Sequence, residues 1–136
     1  MKEFLWPVRV YYEDTDRGGV VYHTNYLKFM ERTRTEMLRT SGFEQDRLIE
    51  KENVIFVVRS LKVDYLKPSR FNDLLQVSAK ISHMGHASLT FAQTITRTSD
   101  DILLCTADVK IACLSAGNFK PCPVPVNIRR EFSYAD

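Results

Sequence analysis

Little in this sequence is extreme, and each shortage removes a class of protein. Three cysteines, Cys105, Cys113 and Cys122, are an odd number for a disulfide framework, and their spacings match neither a zinc knuckle nor a Cys-x-x-Cys redox pair. They read as free thiols, and the shared strand parity of Cys105 and Cys113 makes them core residues. No apolar run approaches the roughly 18 residues of a membrane span, so no membrane insertion is expected. No run of five Lys or Arg exists and the formal net charge is +2, so no nucleic acid is expected as a partner. The opening residues Met1 to Pro7 lack the basic region, apolar region and small-residue cleavage site of a secretory signal, and a cytoplasmic protein is the expectation. Walker loops, Rossmann glycines and metal motifs are missing, as are repeats and low-complexity tracts.

What is there fits one domain over residues 1–136. At 44% hydrophobic composition, a chain of this length buries about two thirds of its unfolded surface. Trp6 to Tyr12 alternates as a half-buried strand, with Trp6, Val8, Val10 and Tyr12 on one parity. A helix is expected from about His23 to Thr40, ended by Ser41 and Gly42, with Tyr26, Leu27, Met30, Thr33, Met37 and Leu38 as its inward stripe. A short helical segment follows within Phe43 to Lys51. Strands are then expected at Val54 to Leu66, Leu74 to Ser82, Ser88 to Arg97 and Ile102 to Leu114. The short links at 84–86 and 99–101 read as hairpins, which makes the late strands antiparallel. Val126 to Phe132 forms a last short helix after Pro121, Pro123 and Pro125. The class is α+β, an antiparallel sheet of about five strands wrapped around one long central helix. Such a sheet has open edges, and pairing them across a two-fold axis is the expected remedy.

The chemistry concentrates between Val8 and Leu27. Asp14 and Asp16 stand where an apolar strand ends, Gly18 and Gly19 permit a tight turn, and His23 opens the helix. The first N–H groups of a helix have no intrahelical partner and favour negative charge. One short segment thus supplies a carboxylate, an imidazole and oxyanion donors.

The run from Tyr11 through Glu13, Asp14, Asp16, Gly18, Gly19 and Tyr22 to His23, followed by Glu31 to Arg39, resembles the signature of the 4-hydroxybenzoyl-CoA thioesterase family. Within it the run is most similar to the Tol-Pal-associated acyl-CoA thioesterases of Gram-negative bacteria, the YbgC type. Similarity also appears at Phe56 to Arg59 and near Lys120 and Pro121. The resemblance implies the hotdog fold and an acyl-CoA thioesterase that forms free acid and CoA. It implies a homo-oligomer, dimer or tetramer, with active sites at the subunit interface. No cofactor is expected, coenzyme A being part of the substrate.

Asp16 matches the family's catalytic aspartate, acting as nucleophile or general base on the thioester. The His23 backbone N–H matches the position that polarises the carbonyl, and its imidazole could orient water or protonate the leaving thiolate. Tyr12 and Asp14 belong to the same motif and shape it. Arg34 falls inside the apolar arc of the helix with Glu31 at its edge, and with Arg59 they could form an inward ion-pair network supporting the site. Lys67 and Arg70 are candidates for the CoA phosphates, since the 84–87 hairpin lacks the basic cluster of the original family enzymes. His83 and His86 without carboxylate or thiolate support are a solvated turn, not a metal site. Two rivals stand beside hydrolysis: a hotdog hydratase or dehydratase, and a non-catalytic adaptor for acyl carrier protein linked to the Tol-Pal system.

Overall fold

The computed structural model describes residues 3–133; residues 1–2 and 134–136, the outermost ends of the expected domain, lie outside the described residues. Strand β1, Phe4–Arg9, is followed by a 3-10 turn at Tyr12–Asp14 and the long helix α1, His23–Thr40. Helix α2, Gln45–Glu52, leads to β2, Val54–Tyr65, then β3, Leu74–Met84, β4, Ser88–Arg97, β5, Ile102–Ser115, and helix α3, Val126–Ser133. The five strands form one sheet in the order β1-β3-β4-β5-β2, every neighbouring pair antiparallel. Helix α1 lies across the sheet, packed chiefly on β3 and β1. This is the wrapped-helix architecture that the alternating strands and single long helix call for.

The ends of α1 follow from local chemistry. Ser41 donates its N–H back to Leu38 and Met37 carbonyls, and Gly42 adopts φ 92°, a left-handed turn that costs glycine nothing. Between those ends the helix buries Tyr26, Phe29, Met30, Thr33, Met37 and Leu38. Phe29 stands outside the stripe read from the sequence, yet it is one of the largest fully buried side chains. Burial of a residue of its size stabilises by about 1.5–3 kcal/mol. Leu75, Val77, Ala79 and Ile81 of β3, and Leu89, Phe91 and Ile95 of β4, complete the cluster from the sheet side.

Three readings of parity are corrected by the strands themselves. The first strand ends at Arg9, so Tyr12 starts the 3-10 turn and stands 78% exposed instead of inward. In β5 the pairing slips beside Ile95, where Thr96 faces Leu103 while Ile95 faces Cys105. That bulge turns Leu104 into the core and leaves Leu103 40% exposed, the reverse of simple alternation. In β2 a second slip lies between Val58 and Ser60, at Arg59. Arg59 is therefore exposed, not on an inward parity. Val57, Leu61 and Tyr65 are also open, on an edge strand that α1 does not cover as it covers β3 and β1.

Candidate active site

The stretch after β1 folds into a small hairpin that delivers Asp16 to one side and the start of α1 to the other. Asp16 N–H donates to Val20 O at 2.8 Å, Gly19 N–H to Asp16 O at 3.0 Å, and Tyr22 N–H to Asp14 O at 2.9 Å. Thr15 and Val21 form the bridge between those bonds. The turn depends on its glycines for separate reasons. Gly19 takes φ 80°, and a Cβ on Gly18 would stand 3.2 Å from Asp16 Oδ1. Gly18 N–H donates to that same oxygen at 2.8 Å.

This bond is the turn-holding role that an aspartate beside glycines commonly plays, and it uses only one carboxylate oxygen. Asp16 Oδ2 has no partner among the described residues, and the side chain is exposed. The carboxylate is therefore both anchored and available. Asp14, two residues earlier, is buried, its two oxygens taken by Tyr11 N–H and the Asn25 side chain. The turn between them keeps the two carboxylates in different surroundings.

Helix α1 begins without a side-chain cap. Asn25 N–H is taken by Tyr22 O at 2.8 Å, whereas His23 N–H and Thr24 N–H donate to no described residue. Those two groups are ready donors at the positive end of an 18-residue helix. The His23 ring lies 4.6 Å from the Tyr22 ring and meets Tyr65 of β2 edge-on at 5.9 Å. Partial desolvation, followed by Cys105 and Tyr26, raises the Tyr65 pKa above its ordinary value.

His23, Val21, Tyr26, Tyr65 and Lys67 line a cleft of about 240 Å³. Its far wall is fixed by polar bonds: Ser69 N–H and Ser69 Oγ meet Tyr26 Oη at 3.1 and 2.8 Å, and Val21 N–H donates to Ser69 O at 2.8 Å. Lys67 is thereby brought to His23. Arg70 is placed beside the hairpin through its bridge to Val20, with an exposed side chain. Tyr12 stands one turn before Asp16 and stacks on Phe71 at 4.3 Å. A separate groove runs between α1 and β2, along Leu27, Met30, Val58 and Leu61 and on to Leu38, Phe56 and Phe91.

Glu31 and Arg34 line that groove, but the expected ion-pair network is not closed within the chain. Arg34 is 8% exposed and donates to Gln93 Oε1 at 2.9 Å. Gln93 Nε2 in turn donates to Met30 O and Ser78 O, which fixes the amide with its oxygen toward the guanidinium. Burial lowers the Arg34 pKa and Glu31 partly restores it, yet no ion pair joins Arg34, Glu31 and Arg59 among the described residues. Gln93 and Asn25, polar residues buried beside the candidate site, were missed by the sequence reading. A polar residue on an otherwise apolar parity is the signal for Gln93.

Cys105 and Cys113 are buried thiols poorly suited to act as nucleophiles. Burial pushes Cys105 up to about 11 and Cys113 up to about 12, the latter aided by its contact with Cys122 at 3.7 Å. Among the described residues no group of three or more His, Cys, Asp or Glu is arranged to hold a metal ion, and no helix is long and apolar enough to cross a membrane.

Comparison with known proteins gives the same direction as this geometry. Residues 18–104 match the family model described as the thioesterase superfamily. The chain is 44% identical to an acyl-CoA thioesterase YbgC of Haemophilus influenzae over 131 residues, 96% of this chain and 95% of that protein. It is 47% identical to an acyl-CoA thioester hydrolase YbgC of Escherichia coli over 129 residues, 95% of each. Among solved structures, a probable thioesterase from Bartonella henselae superposes with a TM-score of 0.85 at 36% identity, covering 91% of this chain and all of that one.

Proposed function

The chain belongs to the thioesterase superfamily, and from that premise we propose that it hydrolyses acyl-CoA with Asp16 and the start of α1 as its machinery. It is a hotdog thioester hydrolase, and membership decides between the two enzyme readings in favour of hydrolysis over hydration. The observation that carries the assignment is the half-used carboxylate: among the described residues Asp16 Oδ1 is held by Gly18 N–H while Oδ2 has no partner, close in sequence to two helix N–H groups that donate to none of them.

In the proposed reaction the thioester carbonyl oxygen accepts from His23 N–H, which stabilises the oxyanion; one such donor is typically worth about 3–4 kcal/mol. Asp16 takes a proton from water as the water oxygen attacks the carbonyl carbon, or attacks it directly to give a mixed anhydride that water then opens. The carbon–sulfur bond breaks and the CoA thiolate is protonated, a role assigned to the His23 imidazole. Water and these groups balance the reaction without a metal or redox cofactor, coenzyme A leaving as product. Lys67, on the cleft wall, and Arg70 are assigned to the CoA phosphates; Tyr12, Glu31 and Arg59 are assigned to supporting positions.

One domain carries this site. The open apolar edge of β2 supports a homo-oligomer, dimer or tetramer, in which a second copy covers Val57, Val58 and Leu61. An acyl carrier protein as alternative carrier, the Tol-Pal association and a cytoplasmic setting accompany the reading on the strength of resemblance.

The test is thiol release from short, long and aromatic acyl-CoAs by the wild type and Asp16→Asn, at matched melting temperature and oligomeric state. A loss of about 100-fold or more in kcat is expected. Oxygen-18 from solvent entering Asp16 in a single turnover would select the anhydride path. If the wild type hydrolyses none of the panel, the reading fails and carrier-protein binding replaces it.

A further inference from the structure

The buried carboxylate of Asp14 has no task in the reaction, although its burial is expensive. Asp14 is 6% exposed. Its Oδ2 accepts Tyr11 N–H at 2.8 Å and its Oδ1 accepts Nδ2–H of Asn25 at 2.9 Å, and Asn25 is itself 8% exposed. No Lys or Arg stands within ion-pair distance of it among the described residues. Two neutral donors offset only part of the cost of taking a carboxylate out of water, and an apolar pair would serve packing alone at least as well.

The bond does join the two halves of the site. Asp14 is the last residue of the 3-10 turn that precedes the hairpin, and Asn25 is the third residue of α1. Tyr22 N–H donates to Asp14 O, and Asn25 N–H donates to Tyr22 O. Turn, returning strand and first helical turn are therefore tied at one point. Asp16 leaves that point through Thr15, and His23 leaves it through Tyr22. A carboxylate accepts only, so the pairing also dictates which way each group faces.

We propose that Asp14 and Asn25 are a positioning pair that sets the Asp16 carboxylate against the His23 and Thr24 N–H groups at the α1 start. The inference rests on the thioesterase reading and assigns neither residue to the reacting atoms. Misplacement by about 1 Å costs on the order of 100-fold in rate, so the pair should act on kcat far more than on substrate binding.

The test is a charge-swap cycle followed with an acyl-CoA that the wild type hydrolyses. Asn25→Asp sets carboxylate against carboxylate and should lower kcat about 30-fold or more with KM changed less than about threefold. Asn25→Leu, of similar size and unable to donate, should lower kcat about tenfold; it serves if Asn25→Asp does not fold. Asp14→Asn combined with Asn25→Asp restores a donor facing an acceptor and should recover kcat to within about threefold of wild type. In an Asp16→Asn background Asn25→Asp should cause no further loss of kcat, because the group it positions is gone. The inference is overturned by melting temperature falling while kcat holds, by loss confined to KM, or by a double variant no better than Asn25→Asp. An active wild type matched by Asn25→Asp overturns this inference alone; a wild type that hydrolyses no acyl-CoA removes the functional reading and this one with it.

Discussion

The two sides of this sheet live under opposite conditions. On one side β1 and β3 are roofed by α1, and β3 alternates almost without fault between buried Leu75, Val77, Ala79 and Ile81 and exposed Gln76, Lys80 and Ser82. On the other, β2 pairs along its length with β5 yet leaves Val57, Val58, Leu61 and Tyr65 between 38% and 48% exposed. The same hydrogen-bond ladder runs through both, so backbone pairing does not separate them. The difference is how closely a second layer covers each side: α1 packs chiefly on β3 and β1, while β2 meets α2 and faces α1 across a groove. The site sits at the seam, where His23 at the start of α1 faces Tyr65 of β2.

The sharpest check removes the roof's largest contact. Phe29→Ala should cost about 3–5 kcal/mol in denaturant unfolding, while Leu61→Ala, measured at high dilution, should cost under about 1 kcal/mol. Equal costs would show that the β2 side has a layer of its own within one chain.

A second variant probes what holds the roof's one buried cation. Gln93→Leu leaves Arg34 without its acceptor and should destabilise by about 2–3 kcal/mol. Adding Arg34→Met should recover most of that loss. A strictly additive double variant would mean that the Arg34 and Gln93 side chains do not depend on each other.

Smaller still in stability, but visible in mass, is a charge on the open side. Leu61→Lys should change unfolding of the separated chain by less than about 0.5 kcal/mol and shift sedimentation toward monomer. An unchanged sedimentation profile would place the contact between copies elsewhere.

The slightest effect is in alkali. Burial raises the Cys105 thiol to about 11 and the Cys113 thiol to about 12, above the ordinary value of 9.0. The unfolded chain then releases protons first, so the contribution is whole below about pH 9 and is lost as pH rises through the folded values. Melting temperature should fall progressively above about pH 9, less so in Cys105→Ala once normalised to its own value at pH 7. A flat profile would show that these thiols titrate alike folded and unfolded.

How much of this was legible in the sequence differs with the kind of signal. The span of α1 and the span of β4 stand where periodicity and turn chemistry put them, because capping at Gly42 and alternation are local properties. The tight turn between Asp16 and His23 was legible too, as paired glycines between a strand and a helix permit one. Arg59 was misread, and Leu103 breaks the alternation that puts Cys105 and Cys113 inward, because a bulge is decided by the partner strand, and one extra residue reverses every side chain beyond it. Asn25 gave no signal as a site residue, and Gln93 only that of a polar residue on an apolar parity. Each matters through a partner 11 or 59 residues away, and no spacing rule connects such pairs.

By itself the sequence determined the elements, their order, the family and the segment where chemistry resides, since hydrophobic period, turn residues and a long motif are written along the chain. Only the tertiary structure decided which polar side chains are buried, which apolar ones stay open, and that Asp14 and Asp16 differ in burial. Those outcomes depend on which layer covers each face, and covering is a relation between distant parts of the chain.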